Sequence, residues 1–96
     1  MLKNKHIKKK IIDQFEKHKI NIKKLVLEEG SPRKKLMESY NKIDITLDPF
    51  PYSGGTSSFE SIWMAVPVLT KKGSKFISCT AESINRNIEM SDWIAH

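Results

Sequence analysis

Residues 44–70 read DITLDPFPYSGGTSSFESIWMAVPVLT. The first four alternate around two apolar residues and stop at Pro49, as a short strand does when proline removes its next N–H donor. The run DPFPYSGGTSS is too rich in breakers to continue a strand and reads as a loop. Phe59, Ile62, Trp63 and Val66 then recur at helical spacing, which predicts a helix over 57–65 with that stripe, Trp63 included, turned to the core. Val66-Pro67-Val68-Leu69-Thr70 is a second strand, its proline near the first position where a missing donor is tolerated. Strand, loop, helix and strand in this order form a parallel unit.

The same alternation extends outward. Ile7, Ile11, Ile12 and Phe15 predict an amphipathic helix over 4–18, and residues 23–28 (KKLVLE) read as a strand. Ser31 as cap and Pro32 in the first turn open a helix to about residue 41, with Leu36, Met37 and Tyr40 inward. Ile77, Ala81, Ile84 and Ile88 place a last helix over 75–88. The fold class is therefore α/β, with a short parallel sheet flanked by helices.

Ninety-six residues allow one small domain, read as a single unit over 1–96 with a basic helix at 1–20. No apolar run is long enough to cross a bilayer or to serve as a signal peptide, and the reading is cytoplasmic with no membrane partner. The single Cys79 can make no internal disulfide, and His6, His18 and His96 have no metal-ligand spacing. Residues 1–35 hold twelve of the seventeen Lys and Arg against four acids, so the net charge of +6 belongs to the amino-terminal third. Lys3, Lys5, Lys8, Lys9 and Lys10 could form a nucleic-acid footprint or a solvated helix face. No aromatic or arginine is interleaved to stack on bases, which favours the solvated face.

The glycine loop runs from the carboxyl end of a parallel strand to the amino end of a helix, where open α/β sheets bind ligands. Gly54 and Gly55 allow close backbone approach or positive φ. Thr56, Ser57 and Ser58 add hydroxyls to the free N–H groups of a first helical turn, a combination suited to a diphosphate. The competing reading is a turn with a capping box between Ser57 and Glu60. Asp44 and Asp48 read as turn or cap residues, Cys79 as a packing residue, and Tyr52 either as a cleft wall or as a cover for the loop.

The stretch YNKIDITLDPFPYSGGTSSFESIWMAVPVLT over 40–70, with LVLEEGSPRKKL, GSKFIS and the terminal WIAH, resembles the O-linked N-acetylglucosamine transferase family, including its bacterial and SPINDLY-like members. The resemblance spans about residues 23–96. It implies a GT-B type fold of two Rossmann-like lobes, this chain matching the carboxyl-terminal part of the second. It also implies a UDP-sugar donor, such as UDP-N-acetylglucosamine, a protein Ser/Thr acceptor, and inverting chemistry without metal or other cofactor.

By the same resemblance, Gly55, Thr56 and Ser57 contact the diphosphate, with Gly54 and Ser58 beside them, Glu60 contacts the ribose, and Arg33 lies near the uracil. Where many relatives carry histidine near the uridine this chain has Leu36, and Cys79 stands where arginine is common. The family's diphosphate lysine, its first lobe and its helical repeats fall upstream of residue 1, so the expected partners include that lobe or a repeat protein. No residue here is assigned to the chemical step, an isolated chain is expected to self-associate and to transfer no sugar, and a non-catalytic nucleotide-binding or assembly module is the alternative.

Overall fold

Asn4 starts the first helix by accepting the His6 amide on its side-chain oxygen at 2.9 Å, and α1 runs Lys5–Lys17. The computed structural model describes residues 4–96, so Lys3 of the basic run lies outside the described residues. The chain forms two units, Met1–Leu36 and Met37–His96. Among the described residues no helix is long and apolar enough to cross a membrane.

In the first unit Ile7, Ile11, Ile12 and Phe15 are half-buried, as their spacing predicts, while Lys5, Lys9 and Lys10 are exposed. Residues 23–28 do not form the expected strand. Asn21 accepts the Lys23 amide at 3.0 Å and caps a 3₁₀ turn over Ile22–Lys24. The following residues alternate in burial, Val26 being 78 % exposed, but make no ladder among the described residues. A side-chain cap thus takes the start of the segment, and apolar alternation alone supplies no backbone partner. Lys8 pairs with Glu29 at 3.2 Å across the same unit. Helix α2 (Arg33–Ser39) follows Pro32, whose carbonyl accepts the Leu36 amide at 3.0 Å, and tightens into a 3₁₀ turn over Tyr40–Lys42.

The second unit contains β1 (Thr46–Leu47), α3 (Thr56–Trp63), β2 (Val68–Lys71), α4 (Thr80–Asn87) and β3 (Ile94–Ala95). The strands form one sheet in the order β1-β2-β3. Both pairings are parallel, Thr46 facing Val68 and Thr70 facing Ile94. The α/β alternation is as the sequence predicts, with β1 shorter than expected and β3, inside WIAH, an additional strand.

Val66, Val68, Ala81, Ile84 and Ile94 form the buried apolar core of this unit, joined by fully buried Ser61, Thr70 and Asn85. Asn85 Nδ2 donates to the Val68 carbonyl at 2.8 Å, tying α4 to β2. Ser61 Oγ donates to the Val66 carbonyl at 2.8 Å and lies 2.7 Å from Thr46 Oγ1. These bonds turn the expected face of α3 only in part, since Val66 is buried and Ile62 half-buried as expected while Phe59 and Trp63 are exposed. Its buried side chains are Ser58 and Ser61, and Trp63 is 84 % exposed rather than in the core. Small hydroxyl residues with waiting partners let the helix sit close to the sheet, and Phe59 and Trp63 turn outward.

The helix expected over 75–88 is also divided. Phe76–Ser78 is a 3₁₀ turn and α4 begins at Thr80. Ser53 donates both its amide and its hydroxyl to the Ile77 carbonyl, at 2.9 and 3.1 Å. That carbonyl would have accepted from residue 81 in a continuous α-helix, so the turn ends there. Of the four residues expected inward, Ile77 and Ile88 are more than two-fifths exposed, while Ala81 and Ile84 are buried.

Candidate functional site

The loop between β1 and α3 is held by three residues. Asp48 accepts the Gly54 amide on Oδ1 at 2.7 Å and the Thr70 hydroxyl on Oδ2 at 2.8 Å, so one carboxylate joins the loop to β2. Ser53 joins it to the Phe76–Ser78 turn through the two bonds to Ile77. Gly54 supplies the third condition: a Cβ there would lie 2.5 Å from Ser57 Oγ and 2.9 Å from Ser58 Oγ. Gly54 thus serves close packing and not a left-handed turn, since no glycine has positive φ, whereas a Cβ at Gly55 would meet only Thr80 Cγ2 at 3.9 Å, an ordinary contact. Lys71 Nζ sits 4.8 Å from the centroid of the Phe50 ring, a cation–π contact to the loop.

Gly55 is the N-cap of α3, and no side chain caps this helix. The capping box between Ser57 and Glu60 is absent because Ser57 already lies within the first turn. The amides of Gly55, Thr56, Ser57 and Ser58 have no acceptor inside their own helix, and the helix dipole favours negative charge at this end. Beside it lies a cleft of about 360 Å³ lined by Tyr52, Ser53, Gly55, Thr56, Phe76, Ile77 and Thr80.

The structure therefore separates the predicted residues by role. Gly55 and Thr56 line the cleft. Ser58 is buried and donates its hydroxyl to the Gly54 carbonyl at 3.1 Å, so that oxygen serves the loop. Ser57 is exposed, and its carbonyl accepts the Tyr40 hydroxyl at 3.4 Å. Glu60 is half-buried, one turn along α3 from Thr56. Burial pushes the Tyr40 phenol above its ordinary pKa, and the Glu60 carboxylate adds to that rise. Arg33 begins α2 in the other unit.

Tyr52 is a cleft wall, 72 % exposed. Ser53, Phe76 and Thr80 are cleft residues that the sequence pattern does not single out, and Ile77 is expected there only as an inward residue of the last helix. Phe76 and Ile77 lie within GSKFIS, which forms a 3₁₀ turn and a cleft wall in place of the expected helix. Cys79 caps α4, its thiol donating to the Gly73 carbonyl at 3.3 Å, which agrees with a packing role. Among the described residues no three His, Cys, Asp or Glu side chains gather to hold a metal ion.

No protein-family model matches the chain. Relatives are found among plant proteins described as probable UDP-N-acetylglucosamine–peptide N-acetylglucosaminyltransferase SPINDLY. The protein of Solanum lycopersicum is 36 % identical over 59 residues, covering 62 % of this chain and 6 % of the relative. That of Arabidopsis thaliana is 50 % identical over 38 residues, covering 40 % of this chain and 4 % of the relative. A solved structure, a lysine-to-methionine mutant of the Thermobaculum terrenum O-GlcNAc transferase, superposes with a TM-score of 0.94 at 30 % identity, covering 99 % of this chain and 18 % of that one. The chain thus spans less than a fifth of the length of each protein it matches here.

Proposed function

We propose, from the premise that this chain is a relative of the O-linked N-acetylglucosamine transferases matching them in sequence and in a part of their GT-B fold, that it carries the nucleotide-sugar-binding part of a glycosyltransferase. The donor is a UDP-sugar and the acceptor a protein hydroxyl. The observation that supports this is the uncapped amino end of α3 opening on the cleft beside Gly55 and Thr56.

In this reading the diphosphate rests on the amides of Gly55, Thr56 and Ser57, with the Thr56 hydroxyl as a further donor. Ser58 contributes its amide alone, because its hydroxyl is engaged with Gly54. Gly54 contributes by packing. Glu60 accepts from the ribose hydroxyls, as an ionised carboxylate can. When the bond from the sugar's anomeric carbon to the diphosphate oxygen breaks, negative charge grows on the leaving group. Oriented N–H groups at a helix end stabilise that charge without a metal. The chain supplies donor binding and leaving-group stabilisation; no residue in it is assigned to the acceptor's proton.

The test is backbone NMR with UDP at millimolar concentration. UDP is expected to shift the amides of Gly55 to Ser58 more than those of Ile7 to Phe15, and Glu60→Gln to weaken UDP more than pyrophosphate, which has no ribose. Absence of a localised shift overturns the site. Equal weakening of both ligands removes the ribose role of Glu60.

A further inference from the structure

Phe76 is 90 % exposed, the most exposed large apolar side chain among the described residues, yet it lines the same cleft as Gly55 and Thr56. The turn that carries it is fixed. Ser53 holds the Ile77 carbonyl, and Ser78 folds its hydroxyl back to the Lys75 amide and carbonyl at 3.1 and 2.9 Å. A wet phenyl ring on a rigid turn, beside the hydroxyl-bearing Thr56 and Thr80, makes an amphiphilic wall. Such a wall suits a ring with an apolar face and a polar rim, which describes a hexose.

The direction follows from what the cleft omits. Glu60 and Tyr40 are not among its lining residues. A ligand with its diphosphate on the Thr56 turn and its ribose at Glu60 therefore extends its other end, the sugar, into the cleft. We propose that Phe76 stacks on the pyranose ring of the bound nucleotide sugar and is a specificity-determining residue for the donor, with Tyr52 as the second aromatic wall; this rests on the diphosphate site proposed above.

The test compares UDP-N-acetylglucosamine with UDP by isothermal titration of the full chain and its Phe76 variants. Phe76→Ala is expected to weaken UDP-N-acetylglucosamine by roughly two- to tenfold, the range of one aromatic contact, while UDP is unchanged. Phe76→Tyr keeps the ring and is expected to retain the wild-type ratio of the two affinities. In the wild type the hexose proton signals are expected to move upfield on binding, and in Phe76→Ala to lose that shift. Equal weakening of both ligands, or no weakening of either, overturns the stacking while leaving the diphosphate site intact. Failure of the wild-type chain to bind UDP overturns the diphosphate site and the stacking together.

Discussion

At the scale of single residues, Asp48 decides more about the site than any group that would touch a ligand. Its two oxygens satisfy the Gly54 amide and the hydroxyl of Thr70, a residue with almost no exposure, so removal strands two polar groups at once. Leaving buried donors unpaired costs about 1–3 kcal/mol for each. Asp48→Ala is therefore expected to lower unfolding stability by ~2–4 kcal/mol in a urea titration and to abolish UDP shifts at Gly55. Asp48→Asn differs in kind. Its amide oxygen can still accept from Gly54, and its NH₂ can donate to the Thr70 hydroxyl, so the loss is expected to stay below about 1 kcal/mol with UDP binding retained. If Asn and Ala are equally damaging, the negative charge and not the bonding pattern holds the loop. The sequence announced Asp48 as a turn residue through its neighbour Pro49. What it could not announce was Thr70, twenty-two positions away, as the other end of the bond.

Among secondary-structure elements, the legible features were those with a strong local cause, and the misread ones were settled by distant partners. Helix α1 follows from Ile7, Ile11, Ile12 and Phe15, and the 44–70 unit follows from Pro49, the glycines and the apolar run around Val68. The buried face of α3 was illegible because Ser61 is buried for its bonds to Thr46 and Val66, which no hydropathy pattern encodes. β3 escaped because two residues pairing with β2 leave almost no period to read.

One shared feature is local and testable. α1, α3 and α4 each end with a non-glycine residue in left-handed backbone: Lys19 at φ 60°, Ala65 at 60° and Glu89 at 62°. In each case the next amide reaches back to a carbonyl five residues earlier, as Val66 does to Ser61 at 2.9 Å. That is the geometry glycine usually supplies. A Cβ in this conformation costs about 1–2 kcal/mol, whereas the extra freedom glycine gives the unfolded chain costs ~0.4–1 kcal/mol. Ala65→Gly is thus expected to raise stability by roughly 0.5–1 kcal/mol. Ala81→Gly, inside α4 and fully buried, is expected to lower it by at least about 1 kcal/mol from lost helix propensity and packing. Equal destabilisation by both would show that Ala65 is not held in the left-handed region.

The whole molecule carries more apolar surface than its own core can cover. Five hydrophobic residues are buried among the described residues, against fifteen large ones that are exposed. Phe59 and Trp63 stand four apart on α3, so they present one face of that helix outward. A patch of this kind favours association between molecules. The two possible positions of Trp63 predict very different costs. A core tryptophan cut to a small residue loses ~3–5 kcal/mol or more, while a surface substitution stays within about 0.5 kcal/mol. Trp63→Ser is expected to fall in the second class, since tryptophan and serine also have similar helix propensity. Sedimentation velocity over a range of concentrations is expected to show the wild type associating and Trp63→Ser shifted towards monomer. A large stability loss would return Trp63 to the core that its spacing first predicted. Unchanged association with unchanged stability would locate the adhesive surface away from α3.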